Sequence, residues 1–134
     1  MSDFSEYIAA QIRDWMSQNT QMDTPPNTLW ITLFNDQDAE VDGDLENGRI
    51  PVATDGTDWT VTNTSFENAV EIDFGEATAD IADVVDVALY DSDVGGNEIA
   101  RYTLTDAPIS FSERTRVFFD PQELSFDIVD RTQP

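Results

Sequence analysis

Apolar residues near the start of the chain recur every three or four positions. Phe4, Ile8, Ile12 and Trp15 form one stripe with Tyr7 and Met16 beside it, while Ser5, Glu6, Arg13, Asp14 and Gln18 fill the remaining positions. That period predicts an amphipathic helix within residues 1–20. Ser2 or Asp3 is placed to cap it, and Glu6 falls in the first turn, where negative charge suits the helix dipole. The helix should end near residues 18–20, because Pro25 and Pro26 follow. Its apolar stripe has two uses: packing on its own domain, or contacting another subunit.

After the prolines the period changes to two. Residues 29–34 (LWITLF) read as a largely buried strand, and 35–47 as a polar, acidic loop. Residues 49–53 and 59–62 are short strands separated by turn-forming residues 54–58. Residues 69–74 alternate, which places Val70, Ile72 and Phe74 on one face before 75–80 break the pattern. Residues 84–90 predict a central strand, 91–97 a hairpin loop and 98–104 its partner. Segments 108–111, 115–119 and 123–129 complete eight or nine strands. The expected fold is therefore mainly β: an antiparallel β-sandwich or jelly roll over 21–134, preceded by the helix of 1–20, in a single domain. A length of 134 residues agrees with one domain.

Composition adds a strong constraint. Twenty-eight Asp and Glu face six Arg, with no Lys, His or Cys, for a net charge of −22. Missing Cys removes disulfides and thiol nucleophiles, and missing His removes the commonest metal ligand and neutral-pH base. Such charge opposes binding to phosphate backbones, so no nucleic-acid partner is expected. Leu, Ile, Val and Phe nevertheless make up about a quarter of the chain, above the ~20% typical of disordered acidic sequences. A folded core inside a charged shell follows. Short carboxylates in place of Lys stems indicate adaptation to a hypersaline solvent, where the Debye length is only ~3 Å at 1 M salt. No apolar run approaches the ~20 residues of a membrane span, and no secretion signal opens the chain. No membrane partner is expected, and synthesis falls in the cytoplasm.

Carboxylates are the only material for chemistry. Asp36, Asp38, Glu40, Asp42 and Asp44 alternate along one loop, but a calcium loop starting at Asp38 would carry Arg49 where Glu is needed. Asp91, Asp93, Asn97 and Glu98 form a second acidic turn, which Gly95–Gly96 explain as a hairpin. No Ser or Thr has a His or Lys to activate it, and no phosphate-loop glycine pattern occurs. The reading is therefore no enzyme, with no catalytic, cofactor or metal residues. Arg114 and Arg116, two apart, would share one strand face and bridge to Asp neighbours or across a subunit boundary. Trp59 and Tyr102 are candidates for an exposed ligand-binding rim, or for burial in the sandwich.

The order of segments resembles a family of small virion proteins of tailed phages, described as tail-fibre or head-decoration proteins. The residues carrying the resemblance are 25–34 (PPNTLWITLF), 59–68 (WTVTNTSFEN), 72–80 (IDFGEATAD), 84–91 (VVDVALYD) with the Gly95–Gly96 turn, Pro108–Ile109 and 124–128 (LSFDI). Ile81 stands where the family usually has an aromatic, and Ser112-Glu113-Arg114 where it often has Gly-Asp. The resemblance implies a non-enzymatic structural protein of the virion surface. With the composition, it points to a tailed virus of halophilic archaea. The leading expectation is a capsid decoration or vertex-turret subunit, trimeric or pentameric, contacting the major capsid protein or other virion proteins. The alternative is a tail-fibre or receptor-binding module.

Overall fold

A computed structural model of the protein describes residues 4–62 and 65–127. Helix α1 spans Glu6–Gln18 and is followed by β1 (Thr28–Asn35), a short 3₁₀ turn (Asp42–Asp44), β2 (Ile50–Ala53), β3 (Trp59–Val61), β4 (Ser65–Asn68) and β5 (Ile72–Glu76). Then come β6 (Ile81–Tyr90), β7 (Glu98–Thr103), β8 (Ile109–Phe111), β9 (Arg116–Phe119) and β10 (Ser125–Asp127). The chain is mainly β with antiparallel pairing throughout, as its patterning predicts, and it carries ten strands among the described residues.

The largest sheet runs β2-β1-β6-β7, with β8 also paired to β6. β6 is the central strand, as expected, and starts earlier than expected. It pairs with β8 through Ile81↔Phe111 and Val84↔Ile109, with a register shift between them where Asp83 takes φ 55°. Strands β10-β4-β3 form a second sheet, and β5-β9 a third. Ile31, Leu33, Phe74, Val84, Leu89, Val117 and Phe126 are among the side chains that meet in one core, drawn from all three sheets. Gly95 and Gly96, at φ 63° and 79°, close the β6–β7 hairpin with the left-handed backbone that glycine tolerates.

Three local expectations are corrected. The helix cap is Ser5, whose Oγ accepts from the Ile8 amide at 3.3 Å, and not Ser2 or Asp3. Phe4 bridges Ala100, and the Ser5 amide donates to the Ile99 carbonyl at 2.9 Å. The chain is thus held extended along the β7 edge until residue 5, and the helix begins after it.

Val70 does not share the buried face of Ile72 and Phe74; it is 38% exposed. The single strand expected over 69–74 is a turn followed by β5, and β4 precedes that turn. Asn68 is the cause. It is fully buried, its amide donates to the Val70 and Asp120 carbonyls at 2.8 and 2.9 Å, and its Oδ1 accepts from the Leu124 amide at 2.9 Å. These bonds pin the turn at 69–71 to the loop before β10. The last strand, expected over 123–129, is described only to Asp127, and residues 128–129 lie outside the described residues.

Candidate functional surface

The outer face of the main sheet is where the arginines gather. Alternation along β1 and β6 turns Ile31, Leu33, Val87 and Leu89 into the core and Thr32, Phe34, Ala88 and Tyr90 outward. Phe34 and Tyr90 stack at 6.1 Å between ring centroids. Arg101 lies over Phe34 at 4.0 Å and Arg49 over Tyr90 at 4.3 Å. A planar guanidinium can cover an aromatic ring while its edge binds carboxylates.

Arg49 is the more enclosed of the two, at 8% exposure. Its Nε and Nη2 donate to the two oxygens of Glu40 at 2.8 and 2.9 Å, and its Nη1 donates to the carbonyls of Ser92 and Gly95 at 2.7 and 2.8 Å. Thr32 adds a hydroxyl bond to Glu40 at 2.5 Å. Burial pushes the Glu40 carboxyl upward, but the bonds from Arg49 and Thr32 and the Arg49 charge outweigh it and leave the group below the ordinary value. Arg49 thereby ties the 36–49 loop to the β6–β7 hairpin. Arg101 binds Glu98 at 2.6 and 2.8 Å, and also Asp38 and Asp86.

The acidic candidates are accordingly dispersed. Of the five alternating acids, Asp38 and Glu40 are engaged by Arg101 and Arg49, and Asp42 and Asp44 sit in the 3₁₀ turn. Asp91 accepts from the Asn97 amide and side chain at 2.7 and 3.1 Å, shaping the hairpin, and Glu98 pairs with Arg101. Among the described residues, no three acids are grouped to hold a metal ion.

Arg114 and Arg116 do not share a face. Arg114 lies in a turn at φ 71°, closed by the Thr115 amide donating to the Ser112 carbonyl at 3.0 Å, and β9 begins only at Arg116. Arg116 pairs with Glu71 and Asp73 and lies over Phe118 at 4.3 Å. Trp59 and Tyr102 are half-buried in one aromatic cluster. Trp59 packs edge-on against Phe66 and Phe126 at 5.0 and 6.1 Å, and Tyr102 tilts against Phe126 at 6.1 Å. Sequence reasoning missed Arg49 and Arg101 as organisers. The available signal was an Arg at the start of one strand and another inside a second, in a chain with no Lys.

Helix α1 presents a different surface. None of its residues is fully buried, and Trp15 and Met16 are 54% and 74% exposed. The helix is held by Asp23, whose Oδ2 accepts from the Tyr7 hydroxyl at 2.6 Å and from Gln11 Nε2 at 3.2 Å. The Asp23 amide donates back to Gln11 Oε1 at 2.8 Å. Between α1, residues 22–26 and the ends of β1 and β7 lies a cleft of about 330 Å³ lined mainly by apolar side chains, including Ile8, Pro25, Leu29 and Ile99. Among the described residues, no helix is long and apolar enough to cross a membrane.

A family pattern sets this mainly β chain in the class of phage virion structural or fibre proteins. The chain belongs to the podophage GP4 fiber I protein gp80 family, whose pattern matches residues 3–127. No curated protein matches the chain.

Proposed function

We propose that this protein is a non-enzymatic subunit of a tailed-virus surface fibre, assembled as a symmetric oligomer in a hypersaline medium. The fibre description of its family supports this reading; the capsid decoration or vertex turret that the sequence put first is the other. The observation that carries the oligomeric part is α1. It is anchored by three hydrogen bonds that join its Tyr7 and Gln11 to Asp23, yet leaves Trp15 and Met16 in solvent. A monomer gains little from exposing such side chains, whereas a protomer buries them at ~25 cal/mol per Å² before association costs. The partners are other copies of the chain and neighbouring virion proteins. A net charge of −22 with no Lys supports the hypersaline setting.

Immunogold labelling of intact virions at high salt tests the placement. Label on tail-associated fibres supports the proposal. Label over the head would replace it with a decoration role, and absence of the chain from purified particles would end both readings.

A further inference from the structure

The cleft beside α1 continues into two shallower grooves. One shares Met22 and Pro25 with it and is bordered by Trp15; the other shares Leu29 and Thr54 and is bordered by Trp59 and Val61. Together they make one strip across the molecule, mainly apolar in the cleft and beside Trp59 and mixed where Asn19 and Gln21 line it, with Trp15 and Val61 54% and 72% exposed toward its ends. Among the described residues the acids lining it are Asp23 and Asp91, and both accept hydrogen bonds from within the chain.

The charge distribution sets this strip apart. The residues lining the strip include two acids and no base, whereas the whole chain carries −22. Another copy approaching any acid-rich face brings carboxylates against carboxylates, which costs free energy and blocks close contact. The strip offers a second copy few carboxylates to meet, and its two acids already accept hydrogen bonds.

We infer that the strip is the surface on which a further copy of this chain docks, strip against strip about a symmetry axis. The inference rests on the oligomeric reading above and adds where the contact lies. Apolar burial supplies the attraction, and salt removes the repulsion between the acidic remainders.

Sedimentation velocity of the whole recombinant chain tests it, at about 1 M and about 0.1 M KCl, where Debye lengths are ~3 and ~10 Å. The variants are Trp15→Glu and Val61→Glu, with Phe118→Glu as an exposed apolar control outside the strip. Both strip positions are exposed, so circular dichroism should match the wild type, and either folded variant suffices. The expected result is a wild-type oligomer at 1 M KCl that dissociates at 0.1 M, with association at least about tenfold weaker in each strip variant. Phe118→Glu should associate like the wild type. A wild type that is monomeric at 1 M KCl overturns the inference, as do strip variants that associate normally. An oligomer unchanged at 0.1 M would contradict its electrostatic premise. Virion labelling is a separate readout: it can fail while the sedimentation result stands, and the reverse also holds.

Discussion

Removing the enclosed Arg49 guanidinium should cost far more than removing an exposed one. Arg49→Met keeps the aliphatic stem and removes the guanidinium. Glu40 then loses both of its Arg49 hydrogen bonds, the Ser92 and Gly95 carbonyls lose their donor, and Tyr90 loses the cation over its ring. Breaking a buried ion pair by removing one partner costs about 3–5 kcal/mol. The Glu40 side chain keeps 21% exposure and can recruit water, which places the expected loss near the lower end, about 3 kcal/mol. For a chain of this length that is a fall in Tm of roughly 10 °C. Thermal melts followed by circular dichroism at 1 M and 3 M KCl provide the assay. The loss should be nearly equal at both salts, because a buried pair is screened far less than an exposed one. Arg13→Ala removes the exposed Arg13–Asp14 pair and serves as the control, with an expected change within about 1 kcal/mol. Should Arg49→Met melt within ~2 °C of the wild type, or no lower than Arg13→Ala, the bracing role of Arg49 is refuted.

Three further outcomes follow from the same geometry. Glu40 has its folded pKa depressed below the unfolded value of about 4.3, so its contribution is complete above that pH and is lost as pH falls through the lower folded value. The stability gap between wild type and Glu40→Gln, measured by urea unfolding, should therefore be constant from pH 7 to about 5 and shrink below about 4; a gap that stays constant to pH 3 contradicts this. Asn68→Ala strands the Leu124 amide and the Val70 and Asp120 carbonyls, and should cost about 3 kcal/mol with faster hydrogen exchange at Leu124; a loss under about 1 kcal/mol would mean that water replaces the side chain. Dilution from molar KCl to about 0.1 M should lower the Tm of the wild type as its acidic surface becomes unscreened, and a salt-independent Tm would remove the basis for the hypersaline proposal.

The strands most readable from sequence are those whose burial is set by local alternation. Ile72–Phe74, the run into Tyr90 and the Gly95–Gly96 hairpin are examples, because each signal lies within a few residues. What escaped depends on contacts distant in sequence. Val70 fits the alternation of its neighbours, but Asn68 bonds to residues 120 and 124 and turns the chain before Val70 can join them. Strand β4 holds one large apolar side chain, Phe66, whose partners Trp59 and Phe126 come from other strands. Arg114 and Arg116 look like alternate positions of one strand until a left-handed residue ends the turn between them. The arginine braces were hidden for a related reason. An Arg in a strand shows its role only when the sheet pairing places aromatic rings beneath it and acids at its edge, as for Arg49 and Arg101. The stripe of α1 was legible in its spacing, but not what covers it: the structure half-buries Ile8 and Ile12, with Ile8 lining the cleft, and leaves Trp15 and Met16 exposed.

As a proposed structural subunit of a virion-surface fibre, this chain should be found on the particle itself. Immunogold electron microscopy of intact particles kept at high salt tests that directly. Gold is expected on tail-associated fibres of particles that also carry the chain by mass spectrometry. Purified particles lacking the chain would contradict it.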